Sequence, residues 1–126
     1  MKKENDLGHS KELGERGEAI AAEYLARKGY KIRHRNWRYG HKELDIVATH
    51  NNTLIIVEVK TRWTSYWEEP KESVRRKKQK LIIEAAEAYV QHYDINTDVQ
   101  FDIVSIVLQG EKHELEHIPD AFQPRF

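Results

Sequence analysis

Two short runs rich in Ile and Val, 43–48 and 54–60, lie only a few polar residues apart, and they constrain the fold more than any other stretch of the chain. Branched residues favour strands. Asn tolerates a positive φ, so Asn51 and Asn52 can form the centre of a two-residue turn between the runs. The stretch therefore predicts an antiparallel β-hairpin.

The predicted hairpin places four charged side chains next to one another. A turn at this position pairs Asp45 with Glu58 and Glu43 with Lys60. Because side chains alternate along a strand, all four would project from one face. Opposed carboxylates repel, so a shared proton, an ammonium group or a bound cation must offset them. A divalent metal ion is the alternative with chemical consequences, since a metal beside Lys60 suits phosphodiester hydrolysis.

Two simpler interpretations remain open for this group of charges. Glu43 and Lys60 can form an ordinary cross-strand ion pair with no catalytic meaning. A slip of the hairpin register by one residue would also separate Asp45 from Glu58, because it would turn the two carboxylates to opposite faces of the sheet.

Composition limits the class of protein. The chain has 126 residues, of which 39% are hydrophobic and 33% charged, as expected for one globular domain. No apolar run approaches the roughly 20 residues of a membrane span, and the N-terminal residues lack the apolar segment of a signal peptide. The absence of cysteine excludes thiol catalysis and fits a cytoplasmic location. The net charge of zero counts mildly against a nucleic-acid binder.

Apolar residues at helical spacing predict a first helix over about 11–28, after a flexible tail at residues 1–10. Ser10 is the predicted N-cap of this helix. No repeat or linker divides the rest of the chain, so residues 11–126 are expected to form a single domain.

Three residues of the first helix are candidates for special roles. Gly14 and Gly17 each cost about 1 kcal/mol relative to Ala in a helix, and close approach to another element would compensate this cost. Glu18 lies at the border of the apolar face. It can lean towards the carboxylates of the hairpin, or it can be a surface acid that the helix dipole favours.

Basic and aromatic side chains cluster in two further stretches. Residues 30–37 predict an edge strand that leads into a loop, and residues 61–70 predict an irregular loop. Such residues suit phosphate contacts and base stacking. A charged edge strand also prevents aggregation, and indoles can close the end of a core. The candidate nucleic-acid contacts in these stretches are Arg35, Arg38, Arg62, Trp63 and Trp67.

The second half of the chain predicts a helix over residues 71–93 and strands over 99–108 and 113–118. Lys78 falls on the apolar stripe of this helix, where it can extend to water or reach the carboxylates or a phosphate. Asp102 lies inside a strongly apolar strand. We expect a structural role for it, with a hydrogen-bond partner if it is buried.

The order of elements and the spacing of acidic residues resemble those of a known superfamily. Glu18, Asp45 and the run Glu58-Val59-Lys60 are similar in spacing to the site of PD-(D/E)XK nucleases. More closely, the chain resembles the YraN-like family of predicted endonucleases, which are related in fold to archaeal Holliday junction resolvases. The most specific run is 57–62, and one departure is Gln100, where similar sequences usually carry Arg. The other matches are Gly14, Gly17, Ala21, Tyr24, Leu25, Gly29, Tyr30, Arg35, Asn36, Arg38, Glu43, Leu44, Ile46, Lys78, Ala86, Phe101, Asp102, Ala121 and Phe122.

The resemblance implies an α/β (α+β) fold: a central mixed β-sheet with an antiparallel hairpin, flanked by helices, as in the restriction-endonuclease-like core. It also implies that Asp45 and Glu58 bind a Mg²⁺ or Mn²⁺ ion. By the same resemblance, Lys60 would position or activate water and stabilise charge. Glu18 would complete the acidic cluster, directly or through water, and Lys78 would lie near the site.

Three functions are compatible with these observations. The first is a metal-dependent DNA endonuclease, acting on branched or processed DNA. The second is a non-catalytic nucleic-acid-binding module of the same fold. The third is a structural or adaptor protein whose hairpin charges only form ion pairs. DNA is the expected partner and a membrane is not. A homodimer is a candidate because resolvase-like nucleases commonly act as dimers.

Overall fold

Two helices and one five-stranded sheet make up the parts of the chain that the computed structural model describes, residues 2–64 and 74–124, with side chains from residue 11 onward. The strands lie in the order in which the chain forms them, and only β3 and β4 are parallel. The predicted α/β fold with a mixed sheet and an antiparallel hairpin is therefore confirmed. Neither described helix is long and apolar enough to cross a membrane. The elements are α1 (Lys2–Arg27), β1 (Lys31–Tyr39), β2 (Lys42–His50), β3 (Thr53–Trp63), α2 (Arg76–His92), β4 (Asp98–Gln109) and β5 (Lys112–Phe122).

The two helices cover opposite faces of the sheet. Helix α1 buries Ala21 and Leu25 on a core that includes Val57. Helix α2 is the connection between the parallel strands β3 and β4, and it buries its stripe, with Tyr89, on a second core that includes Ile56. Because neighbouring residues of β3 point to opposite faces, a single apolar run supplies both cores.

Helix α1 begins at Lys2. The predictions of a helix start at Lys11 and of an N-cap at Ser10 are therefore wrong. No Pro occurs in residues 2–10, and Lys, Glu and Leu in this segment favour the helix enough to carry it through Gly8 and Ser10. The predicted flexibility of residues 1–10 and the domain boundary at residue 11 stay predictions.

Helix α2 begins at Arg76, later than the predicted start at Lys71; residues 71–73 lie outside the described parts. Arg75 has an extended backbone with ψ 163°, so it is the N-cap and not part of the helix. The Gln79 amide donates a hydrogen bond to the Val74 carbonyl, with Nε2 to O 2.8 Å, and thus satisfies a group just before the helix. Val74 is nevertheless buried in the core under α2.

The last strand is longer than the sequence predicts. Strand β5 continues to Phe122, although Pro119 lies within it, because Pro is tolerated in an edge strand. The register shifts opposite the step from Phe101 to Ile103, close to Asp120, which has a φ of 50°. This shift lets Phe122 return to the core, where its ring stacks on Phe101 with 5.2 Å between centroids.

Asp102 has the structural role that the sequence predicts. Its side chain is fully buried and accepts hydrogen bonds from the Gln100 amide at 2.9 Å and the Asp120 main-chain N–H at 3.0 Å. The His117 Nε2 lies 2.7 Å from its other oxygen, and Nδ1 of the same ring lies 3.1 Å from the Tyr24 hydroxyl. Asp102 therefore connects β4 to β5 and, through His117, to Tyr24 of α1, and Gln100 supplies one of its neutral donors.

Candidate active site

Strands β2 and β3 separate part-way along their length. The hairpin pairs residues from His50 and Thr53 to Ile46 and Val57. Beyond that last pair, β2 continues against β1 alone and β3 continues against β4 alone. We call this separation the fork. Asp45 is the first residue of β2 beyond it.

The register predicted from the turn is confirmed on the hairpin side of the fork. Asn51 and Asn52 have φ values of 50° and 60°, as the predicted turn requires. The predicted pairing of Glu43 with Lys60 is wrong, because β2 has left β3 at this point. Glu43 is instead opposite Arg38 on β1, and its Oε2 lies 3.9 Å from the Arg38 Nε.

The side chain of Asp45 bridges the fork. Its Oδ2 accepts a hydrogen bond from the main-chain N–H of Val59 at 2.9 Å. That N–H points towards β2, so the carboxylate takes the place of the main-chain carbonyl that a continuing ladder would supply. Asp45 therefore lies between the two strands and does not project from one face of the sheet as predicted.

Glu58 completes a pair of carboxylates at the fork. Its side chain is buried, with 8% of the residue exposed. Burial, and next the charge of Asp45 and a hydrogen bond with it, raise the pKa of Glu58 well above its ordinary value. Lys78 on α2 opposes this rise, because its Nζ lies 3.6 Å from Glu58 Oε2. The pair therefore favours either a retained proton or a further cation.

Glu18 approaches the fork from α1. Burial, and then the charge of Asp45, raise the pKa of Glu18 from its ordinary 4.5 to about 7, while Asn36 and Arg35 act in the opposite direction. Glu18 Oε1 is buried and has no hydrogen-bond partner among the described residues. Gly17 allows this approach, because its Cα faces the Thr61 side chain of β3 at a distance that leaves no room for a Cβ.

The fork opens into a cleft of about 770 Å³ between α1, β3 and the start of α2. Its acidic members are Glu18, Asp45 and Glu58. Its cationic members are Lys60, Arg75, Lys77 and Lys78. We call the cationic residues the rim of the cleft. Carboxylates that lie close to cationic side chains suit a ligand that combines a metal ion with an anion.

A protein-family model described as uncharacterised protein family UPF0102 matches residues 17–106 of the chain. The chain belongs to the UPF0102 family. The match includes the three acidic residues that line the cleft in the described part of the chain, and also Lys60 and Lys78. The site therefore lies inside the part of the chain that defines the family.

Several UPF0102 proteins are similar to the chain over nearly its whole length. One from Bacteroides thetaiotaomicron is 45% identical over 94% of this chain and 98% of its own length. One from Flavobacterium johnsoniae is 42% identical, with 92% and 98% covered. One from Porphyromonas gingivalis is 43% identical, with 86% and 82% covered. These relatives share the family and approximate length of the chain, and their names state no activity.

The donor set of the cleft fits a hard divalent cation held partly by the protein. Within residues 2–64 and 74–124, no group of three or more acidic, His or Cys side chains is arranged to hold an ion by itself. Mg²⁺ commonly uses one or two carboxylates and completes its shell with water and substrate phosphate. Asp45 and Glu58 provide such a pair, and the orphaned Oε1 of Glu18 offers a nearby acceptor for a bound water.

The predicted nucleic-acid contacts have very different environments. Arg35 and Arg38 are exposed on β1, and Trp63 is 43% exposed at the last residue of β3, which extends into the predicted loop. Arg62 is only 7% exposed on the same strand, so it offers little surface to a nucleic acid. Trp67 lies outside the described residues.

The two lysines predicted near the site both line the cleft. Lys60 is exposed there. Lys78 is 55% exposed although its position belongs to the apolar stripe, and its ammonium reaches both solvent and Glu58. Sequence reasoning missed the main-chain N–H of Val59 and gave Asn36 no role. The tolerance of Asn for a left-handed backbone within an otherwise extended run is the signal that could have indicated Asn36.

The carboxylates predict a pH dependence of stability in the metal-free protein. A carboxyl whose pKa is raised on folding contributes stability that is present below about pH 4.5 and lost as the pH rises through the folded pKa, about 7 for Glu18. We expect the melting temperature to fall between about pH 5 and about pH 8. Glu58→Gln should lose much of this dependence and Glu116→Gln, on exposed β5, should keep it. Identical pH profiles for wild type and Glu58→Gln would contradict the assignment.

Proposed function

We propose that this UPF0102 protein is a metal-dependent endonuclease that hydrolyses phosphodiester bonds in DNA. One observation carries the proposal: Asp45 and Glu58 meet at the fork, and Lys60 lines the same cleft. The resemblance of Glu18, Asp45 and the Glu58-Val59-Lys60 run to PD-(D/E)XK nucleases supports the same reaction class.

Each side chain of the cleft has a role in this proposal. Asp45 and Glu58 would hold a Mg²⁺ or Mn²⁺ ion, which supplies a hydroxide nucleophile and Lewis-acid stabilisation of the phosphate charge when bound. Lys60, which lines the same cleft, would stabilise the negative charge that develops on the phosphate. Glu18, with a pKa of about 7, can accept or hold a proton of an active-site water near neutral pH.

The rim of the cleft supports a polyanionic substrate. Arg75, Lys77 and Lys78 line it, and Arg75 and Lys77 are exposed. The net charge of the chain is zero, so cations concentrated at this rim attract a phosphate backbone locally. Arg35 and Arg38, which are exposed on β1, would provide further contacts to phosphates. We propose DNA as the substrate on this basis, with Trp63 available for base stacking.

The test is cleavage of a labelled DNA panel by wild type and Asp45→Asn, with Mg²⁺, with Mn²⁺ and with EDTA. The panel contains single-stranded, duplex, flap and four-way-junction DNA. Asn is preferred to Ala at residue 45, because its carbonyl can still accept from Val59 and keep the fork intact. Cleavage that requires metal and Asp45 supports the proposal and ranks the substrates.

The remaining outcomes identify the other two functions. Salt-sensitive DNA binding without cleavage under any of these conditions would overturn the nuclease and favour the non-catalytic binding module. If the protein does not bind DNA and metal does not change its melting temperature, the third function, a structural or adaptor protein, is favoured.

A further inference from the structure

Asn36 has an unusual conformation for a residue within a strand. Its φ is 53°, in the left-handed region, although the residues on both sides belong to β1. The ladder between β1 and β2 pairs Arg35 with Ile46 and then Trp37 with Leu44. Asn36 and the residue opposite it, Asp45, are both left out of the pairing.

Both strands lose their alternation at this point. On β1, His34 and Trp37 are three residues apart, yet both contact Tyr89 of α2. His34 Nδ1 lies 2.7 Å from the Tyr89 hydroxyl, and the ring centroids of Trp37 and Tyr89 are 5.1 Å apart. Strict alternation would place residues three apart on opposite faces. The register of β1 already shifts at Arg33, whose Nε also donates to the Tyr89 hydroxyl. Beyond that shift the ladder leaves out one further position of β1, and that position is Asn36.

The same change occurs on β2. Leu44 and Val47, also three residues apart, both belong to the core under α2, while Ile46 belongs to the core under α1. The position passed over on this strand is Asp45. We call the paired irregularity at Asn36 and Asp45 the strand skip. It frees the Asp45 side chain from both faces of the sheet, so that the carboxylate can reach Val59 at the fork.

Asn36 also acts on the site through its side chain. The Asn36 side chain lies close enough to the carboxylate of Glu18 to oppose the rise in the pKa of Glu18. Glu18 Oε1 remains without a partner among the described residues. Asn36 thus lies next to Glu18 of α1 and opposite Asp45 of β2.

We propose that Asn36 is a positioning residue of the active site. Its left-handed backbone sets the strand skip that turns Asp45 towards Glu58, and its amide orients Glu18. The second part rests on the proposed nuclease function, whereas the first concerns the metal-free fold alone. Only Gly and, to a lesser degree, Asn and Asp adopt such a backbone readily, so the two contributions can be separated by substitution.

The backbone contribution is tested by hydrogen exchange of the Val59 amide in the metal-free protein. Asn36→Gly should protect this amide as wild type does. Asn36→Ala should speed its exchange about tenfold, because Ala disfavours the left-handed backbone and the strand skip relaxes. Asn52→Ala is the matched control, since Asn52 has a φ of 60° at the far end of the hairpin. Equal acceleration at Val59 in Asn36→Ala and Asn52→Ala would overturn the backbone role.

The side-chain contribution is tested by kinetics of DNA cleavage. Asn36→Gly should lower kcat about 10–100-fold with little change in KM, the size of effect typical of residues that orient a catalytic group. In a Glu18→Gln background, the same substitution should cause no further loss. An unchanged kcat in Asn36→Gly, or a loss that adds fully to that of Glu18→Gln, would overturn the orienting role. If wild type cleaves no DNA, the proposed function and this orienting role fail together, and the exchange of Val59 still decides the backbone role.

Discussion

Lys60→Met should lower the rate constant of metal-dependent DNA cleavage by about 10²–10³-fold and leave KM nearly unchanged. Lys60 lines the same cleft as Asp45 and Glu58, so its ammonium can stabilise charge that develops in the transition state. Lys60 is exposed, so methionine should change the folded structure little. The measurement is single-turnover cleavage of the best substrate of the panel over a range of enzyme concentrations, which separates the rate constant from its concentration dependence.

The control for this substitution is Lys112→Met, which removes an exposed lysine from β5, outside the residues that line the cleft. It should cleave at the wild-type rate. A Lys60→Met enzyme with a normal rate constant would mean that its ammonium has no part in the chemistry. A raised KM with a normal kcat would place Lys60 in substrate binding.

Gly17→Ala should lower the free energy of unfolding by about 3 kcal/mol, near the upper end for overpacking a core. A Cβ at this position would overlap Thr61 Oγ1 and would lie 2.8 Å from both Thr61 Cβ and Thr61 Cγ2. Either α1 or β3 must then move, and α1 carries Glu18. Urea denaturation measures the change. Thr61→Ala in the same chain should restore part of the stability, because it removes two of the three clashing atoms.

Gly14→Ala is the matched control three residues earlier in α1. A Cβ at Gly14 would have no heavy atom within 4 Å, so it should raise the free energy of unfolding by up to about 1 kcal/mol through helix propensity alone. Similar destabilisation by both substitutions would contradict the contact between Gly17 and Thr61.

The hairpin shows how far local signals extend. Asn51 and Asn52 determine the turn, and the turn determines the register of the residues next to it. The prediction fails beyond Ile46 and Val57, because the fork depends on how β2 pairs with β1. That pairing includes the left-handed Asn36, which is distant in sequence from the turn.

The helices show the same limit in another form. Periodicity located the buried face of α2 correctly, including Ala85 and Tyr89. Periodicity did not predict where α2 begins. The apolar pattern starts before Arg75, but the extended backbone of Arg75 delays the start of the helix to Arg76. Periodicity also could not decide whether Lys78 extends to water or reaches the carboxylates. The partly exposed side chain does both, because its Nζ lies 3.6 Å from Glu58 Oε2.

The central claim is that the carboxylates of Asp45 and Glu58 form a site for a divalent cation. Isothermal titration of Mn²⁺ into the metal-free protein tests it most directly, with Asp45→Asn and Glu58→Gln as site variants and Glu116→Gln as the control. We predict one Mn²⁺ per chain in wild type and Glu116→Gln, and loss of that binding in both site variants. Equal binding in all four proteins, or none in wild type, would contradict the claim.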